Sequence, residues 1–336
     1  MNEAEKAPKK SIFKKLSSGY GIPLMVLILI CVLMAIFSSG FLTYENIFNV
    51  LRSTAVNGIV ALAMTYVIVT GGIDLSVGTN VGLGGMICAV LIINNGWNMW
   101  PAMLVALVVC ALIGLLNGMM IHDGNIPAFI ATMGSMTITR AVIMLISDAR
   151  NIPGYPDDFL GIAKFTLGFP GVNELGKEVT FGIPLLALIW IILIVVSFLI
   201  IKYTCFGRNV FAIGSNTEAA RLSGISVRKT TYGVYIYSAV FCAIGGMLLS
   251  SRMASGIPTL GDGYELDAIA AAVIGGASLS GGEGSIGGTV VGAILIAVIR
   301  NAGVLLGLNG QITEIVIGGL IIFAVLIDQM SKKRGK

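Results

Sequence analysis

GGIDLSVG, residues 71–78, breaks a run of apolar residues with two glycines and then places an aspartate inside sequence that otherwise reads as membrane-spanning. A related string, GGASLSGG, returns at residues 275–282, so Gly-Gly-x-x-Leu-Ser-x-Gly occurs twice in one chain. Glycine pairs free the backbone from helical geometry, and an Asp or Ser that follows can accept hydrogen bonds from the N-terminal amides of a restarting helix. In the two copies Asp74 matches Ser278, and Ser76 matches Ser280. Capping explains both with one mechanism. The other reading makes Asp74 a ligand for substrate, because an ionisable residue within a membrane marks a site by default and broken helices line transport paths. The neutral Ser in the second copy favours the cap, and the two roles are compatible.

The surrounding chain is suited to lipid. Of its 336 residues 56% are hydrophobic and only 11% charged, a balance foreign to soluble domains. A hydrocarbon core about 30 Å thick requires about 20 mostly apolar residues per helix. Hydropathy, punctuated by Gly, Pro and charge, yields ten spans, at 20–40, 54–70, 77–95, 99–121, 127–147, 182–201, 231–251, 266–279, 285–306 and 311–328. The expected fold is therefore an all-α multi-span membrane protein of about ten transmembrane helices, some broken at the Gly-rich strings, with both termini cytoplasmic. The first apolar run has no small-residue cleavage site and is long enough to span, so it reads as a retained helix.

Charge orients this plan. With the N-terminus inside, Lys6–Lys15, Lys202–Lys229 and Lys332–Lys336 all fall on the cytoplasmic side and hold 14 of the 21 basic residues, as the positive-inside rule demands. The chain divides into a basic cytoplasmic tail (1–19), a transmembrane domain (20–328) and a second basic tail (329–336). Within the domain, 148–181 forms an extracytoplasmic loop and 202–230 a cytoplasmic one. The outer loop leans acidic, with Asp148, Asp157, Asp158, Glu174 and Glu178 against Arg150, Lys164 and Lys177. Six spans separate the two glycine strings, so they enter the membrane in the same sense. The net charge of +4 belongs to this topology and implies no nucleic-acid partner.

Within or beside the spans, Asn57, Thr65, Asn80, Asn117, Thr132, Ser135 and Thr137 suit hydrogen bonding between helices or a path of weak contacts. Arg140 and Arg300 need carboxylates, carbonyls or a route to the interface. The five cysteines have neither paired spacing nor a histidine cluster nearby, and the sole histidine, His122, lies in a predicted cytoplasmic turn. Metal ligation, disulfides and an enzyme site are not expected. No G-x-x-x-x-G-K-[ST] string occurs, so any ATP is expected to be hydrolysed by another chain. The glycine-rich segment at 275–288 lacks that lysine. Its Gly284, Gly288 and Gly292 are spaced for close helix packing.

The cytoplasmic loop has the grammar of a short capped helix: Ser215 and Glu218 fit a capping box, Glu218, Ala219 and Ala220 suit a first turn, and Gly224 suits the left-handed terminal position. Isolated helices of two turns are marginal in water, so a partner is expected to pack on it. The string EAARLSG resembles the EAA loop of bacterial ABC importer permeases, without the Leu-Pro that ends the longer form in maltose-type members. GGIDLSVG, FGRNVFAIGSNTEAARLSGI and GYELDAIAAAVIGGASLSGGEGSIGGTVVGAI are similar to the ribose, xylose and galactose permease branch, in that family's order, from about residue 45 onward.

The resemblance implies that two copies of this chain form the path, that separate ABC ATPase subunits supply the energy and use the ATP, and that an extracytoplasmic sugar-binding protein delivers a monosaccharide, at the bacterial cytoplasmic (inner) membrane. It implies ATPase coupling at Ser215, Glu218, Ala219, Ala220 and Gly224. Gly71, Gly72, Asp74, Ser76, Gly275, Gly276, Ser278 and Ser280 are the candidates for substrate path or helix break. Glu265 and Asp267, read from the residues alone, favour a helix dipole from its first turn; the resemblance adds that their segment lies near the face that meets the binding protein. Related permeases carry nucleosides, branched-chain amino acids or signalling sugars, and the glycine-aspartate string does not separate them. A secondary carrier or a channel would have no use for the capped cytoplasmic helix.

Overall fold

The computed structural model describes residues 21–172 and 178–334. The N-terminal tail with Lys6–Lys15 lies outside the described residues, as do Glu174, Lys177 and Lys336. Among the described residues seven helices are long and apolar enough to cross a membrane. In chain order the first helices are α1 (Gly21–Phe37), α2 (Tyr44–Val69), α3 (Val77–Ala89, continued by a π-helical turn over Val90–Asn94), α4 (Met99–His122) and α5 (Ala128–Ile146). The excursion between α5 and the next long helix holds β1 (Ile152–Pro153), α6 (Asp157–Lys164) and a hairpin of β2 (Thr166–Val172) and β3 (Glu178–Pro184). Then come α7 (Leu185–Tyr203), α8 (Cys205–Ser215), α9 (Thr217–Leu222), α10 (Val227–Met253), β4 (Ser255–Gly256), α11 (Tyr264–Ile274), α12 (Ile286–Leu305) and α13 (Gly310–Arg334).

Three boundaries differ instructively from the hydropathy reading. The second span begins ten residues before 54, at Tyr44, because Thr43 caps it by accepting from the Asn46 amide, and polar residues including Arg52 then ride in its first turns. Residues 182–184 belong to β3, whose pairing Thr166↔Pro184 to Val172↔Glu178 uses the backbone that hydropathy assigns to a span. The eighth span is a helix only over Tyr264–Ile274. At about 1.5 Å per residue it reaches about 16 Å, half of a bilayer.

Packing sorts the long helices. In α3 and α10 72% of the apolar window is buried, whereas in α4, α5 and α7 the share is 22–28%. α3 and α10 form the centre; the other three present apolar side chains such as Leu104, Ile138 and Ile192 outward, as a lipid-facing surface requires. Small residues bring the central backbones together: a Cβ at Gly85 would meet the Gly246 carbonyl oxygen at 3.0 Å, and one at Gly84 would meet Ala243 at 2.9 Å. The spacing of Gly284, Gly288 and Gly292 has the same use. Gly288 lies against Gly275, Gly292 against the Ala271 carbonyl, and Gly284 against the Val69 side chain.

Candidate functional site

Both glycine strings end a helix in the same way. At the first, the Gly71 N–H donates to Ile68 (2.8 Å) and the Gly72 N–H to Val67 (3.0 Å); at the second, Gly276 donates to Val273 and Ala277 to Ala272, both at 2.9 Å. This is the Schellman arrangement, and Gly71 (φ 82°) and Gly276 (φ 93°) hold its left-handed position. The turns that follow are alike too: Asp74 Oδ1 accepts from the Ser76 amide at 2.9 Å, and Ser278 Oγ from the Ser280 amide at 3.2 Å. The structural equivalence of the glycines is thus Gly71 with Gly276, one residue away from the sequence match of Gly71 with Gly275. The first copy has one extra residue between the helix end and its polar turn.

Asp74 is 1% exposed, and its carboxylate is fully engaged. Oδ1 also accepts the Ser76 hydroxyl at 2.6 Å, and Oδ2 accepts Ser238 of α10 at 3.0 Å. The Ser76 Oγ in turn accepts from Asn80 at 3.2 Å and from Asn117 of α4 at 3.0 Å. Thr132 of α5 takes the Leu75 N–H at 3.1 Å. One break therefore ties α3, α4, α5 and α10 together. Ser238 stands eleven residues into α10 from Val227, about 16 Å along the helix, and Asn117 five residues from the end of α4, about 8 Å. The polar turn at Asp74 and Ser76 is buried within the bundle, whereas Gly71 at the end of α2 is exposed.

The two strings meet. The Gly282 N–H donates to the Val69 carbonyl at 2.8 Å, joining the second string to the end of α2. The end of α8 closes on the same spot: a Cβ at Gly281 would come 2.7 Å from the Gly214 oxygen and 3.1 Å from the Gly71 Cα, and a Cβ at Gly214 would collide with the Val69 carbonyl and meet the Gly282 nitrogen at 2.5 Å. Gly71, Gly214, Gly281 and Gly282 thus form a junction of backbone on backbone, with Gly214 supplied by the cytoplasmic loop. Sequence reasoning missed Gly214. The motif FGRNVFAIGS shows a glycine there but nothing of what it touches.

Three residues after Gly214, at Thr217, the chain enters the short surface helix α9. Its cap is Asn216, whose side chain accepts from the Ala219 amide at 2.9 Å, and not Ser215, which closes α8 and donates its hydroxyl to Phe211 at 2.9 Å. Glu218 consequently falls one position earlier than a capping box requires, and it pairs with Arg221 at 2.9 Å. Gly224 has φ 80° and ends the helix in a third Schellman turn, with Ile225 donating to Ala220 at 3.1 Å. Ala220 is buried, Ala219 is exposed, and Leu222 stands 82% exposed. Nearby, at the end of α4, Asp123 accepts from Tyr232 and pairs with Arg228 at 3.0 Å. The Tyr232 hydroxyl, followed by the Arg228 charge, holds the Asp123 carboxyl below the usual carboxylate range.

At the other end of the bundle the two costly arginines have partners. Arg140 donates to the Pro258 carbonyl at 2.7 Å and pairs with Asp262. Arg300 of α12 holds Asp267 through two bonds of 2.8 and 3.2 Å and reaches Glu314 of α13 at 2.8 Å. Asp267 is only 5% exposed, so its carboxylate is held within the helix wall, and Glu265 is half-buried near Gly78 of α3. Arg300→Ala would leave the Asp267 carboxylate buried without its cation, which costs about 3–5 kcal/mol for a fully buried pair. Partial exposure of Arg300 moves the expected loss toward the lower figure. Thermal unfolding of the purified variant checks it, with Arg300→Lys expected to recover part of the difference.

A helical bundle with two broken spans, joined at one end to a capped surface helix, is the architecture of a membrane permease subunit. Residues 46–325 match the family described as branched-chain amino acid transport system / permease component, and the chain belongs to that family. Relatives include the ribose import permease RbsC of Bacillus subtilis, 36% identical over 307 residues that cover 91% of this chain and 92% of the relative. The galactose/methyl galactoside import permease MglC of Salmonella typhimurium is 37% identical over 345 residues, 98% of each chain. The xylose transport system permease XylH of Haemophilus influenzae is 33% identical over 363 residues, 92% of this chain and 96% of the relative. No solved structure gives a significant match.

Proposed function

We propose that this chain is the membrane-spanning subunit of an ABC importer that carries a monosaccharide of the ribose, xylose or galactose type across the bacterial cytoplasmic membrane. The observation that carries the reading is the similarity, along nearly the whole of both chains, to three permeases named for those sugars. In this reading two copies of the chain form the path, a binding protein delivers the sugar outside, and an ATPase pair drives the cycle inside. In this reading the chain passes the membrane ten times with both termini cytoplasmic: α1 and α13 join the seven long apolar helices, and α11, which alone reaches half of a bilayer, makes its pass together with the glycine string that follows it. A second reading follows from the description of the family itself, a permease for branched-chain amino acids.

The ATPase docks on α9. Supporting this are the capped, self-contained turn at 217–222, its Glu218–Arg221 pair and an apolar Leu222 side chain held out from the fold. Because only Ser215 and Asn216 separate Gly214 from α9, a push on the surface helix is delivered to the glycine junction and from there to both broken spans.

The test is reconstitution with the ATPase and binding protein in vesicles and measurement of ribose, xylose, galactose and leucine uptake with and without ATP. ATP-dependent uptake of one sugar supports the reading; uptake of leucine alone replaces the substrate, and uptake without the ATPase replaces the mechanism. In the same vesicles Glu218→Ala or Gly224→Val should lower uptake at least tenfold while ATP hydrolysis continues and the chain remains inserted. Gly224 needs its positive φ, which costs a β-branched residue about 1–2 kcal/mol. Normal uptake by both variants would remove α9 from the mechanism.

A further inference from the structure

A cavity of about 660 Å³ opens between the ends of α2, α11, α12 and α13 that lie farthest from the glycine junction. It is on the side of the β2–β3 hairpin, since the Tyr44 hydroxyl at the start of α2 donates to the Thr180 carbonyl and accepts from the Gly182 amide, both at 2.9 Å. Asn46 and Val69 are 23 residues apart on α2, about 35 Å. One end of these helices therefore holds an open polar chamber while the other is closed by backbone contact.

The chamber wall is rich in carboxamides. Asn46 and Asn301 bond each other reciprocally, at 3.0 and 2.6 Å. Asn49 is exposed beside them. Asn57 donates to Asp267 at 3.2 Å, but its Oδ1 is buried with no hydrogen-bond partner. Leaving such an acceptor unmet costs about 1–3 kcal/mol, a cost that a donor from the cavity would relieve once the Asn57 side chain turns toward it. Two arginines face two aspartates and a glutamate around the same space, which leaves little net charge while offering both donors and acceptors. A Tyr264 ring and aliphatic residues supply an apolar side.

We propose that this chamber is a low-affinity binding site for a neutral polyhydroxylated ring, an aldopentose or aldohexose, gripped by Asn46, Asn57, Asn301 and the Asp267–Arg300 pair on its way from the outer face. The volume lies within the range of small-molecule sites, about 300–1,000 Å³. A neutral ring with many hydroxyls needs paired donors and acceptors without strong charge, and it also has an apolar C–H face; the lining meets both needs. A branched aliphatic amino acid offers only one ammonium and one carboxylate, and its aliphatic side chain has no hydroxyl to meet the remaining carboxamides. The proposal rests on the sugar-permease reading and places the ligand away from Asp74, whose oxygens are already engaged.

Asn49 has an exposed side chain at the chamber, so Asn49→Cys introduces a reporter without touching the bonded residues. Its labelling by a membrane-impermeant maleimide from the outer side is to be measured in the assembled transporter, with the unsubstituted chain as background for the five native cysteines. D-ribose, D-xylose, D-galactose and L-leucine are offered at millimolar concentrations. At least one sugar should slow labelling threefold or more, leucine should not, and adding Asn57→Ala or Asn301→Ala should remove the protection while the unprotected labelling rate is kept. Absence of protection by every sugar, equal protection by leucine, or protection that survives both alanine variants would overturn the site. ATP-driven uptake measured on the same preparation separates the two ideas: sugar uptake without protection defeats the chamber and leaves the function standing, whereas failure to import any sugar defeats the function.

Discussion

Gly214→Val is expected to lower import at least tenfold, while Gly134→Val should leave it within twofold of the parent. At Gly214 even a single methyl would enter the Val69 carbonyl and crowd the Gly282 nitrogen at 2.5 Å, whereas a Cβ at Gly134 meets nothing within 4 Å. Backbone atoms have no rotamer by which to yield, so the end of α8 must move away from α2 and the second glycine string. Overpacking of a close contact costs about 1–3 kcal/mol, and here the displaced segment carries α9 with it. The measurement is ATP-dependent uptake beside ATP hydrolysis in vesicles. Hydrolysis that continues without uptake is the expected signature; normal uptake by Gly214→Val would show that the junction is not under mechanical demand.

The second large effect is at Asp74. Asp74→Ala removes the acceptor for the Ser76 amide and for the Ser238 hydroxyl, and each stranded buried donor costs about 1–3 kcal/mol. Asp74→Asn keeps one oxygen for Ser76 and turns an amide toward Ser238, whose hydroxyl can accept. The thermal midpoint of the purified chain should therefore drop sharply in the alanine variant and little in the asparagine one, with uptake following stability. Asp74→Ser falls between, because a Ser at this place can repeat the Ser278 to Ser280 turn but cannot also reach α10. Loss of uptake in a fully stable Asp74→Asn would reverse the assignment and make the negative charge a transport group.

Much of this was legible in the sequence because the signals were local. Hydropathy gave the class of fold and the long spans; GGIDLSVG and GGASLSGG announced two breaks; EAARLSG announced a short helix with Gly224 at its end. What was illegible depended on distant neighbours or on near-ties in local chemistry. Ser215 and Asn216 are both good caps, and the choice went to Asn216 because Ser215 remains in α8. Hydropathy could not place Asp74 in depth, since depth is set by Ser238 and Asn117, which come from α10 and α4. The partners of Arg140 come from residues 258 and 262, after three further long segments. Asp267 does lie in the first turn of α11, as read, but its burial and its pairing with Arg300 of α12 were not visible in the local sequence.

The glycine junction also bears on electrical insulation. A passage wide enough for a hexose is wider than a hydrated ion, and across an energised membrane each elementary charge that slips through dissipates about 2.3 kcal/mol per 100 mV. Side chains that plug a pore fluctuate and admit transient files of water. Backbone seated on backbone at Gly71, Gly214, Gly281 and Gly282 has no such moving parts and no titratable group to relay a proton. In the proposed importer, close backbone packing at this junction would therefore also serve the resting chain as an insulating contact.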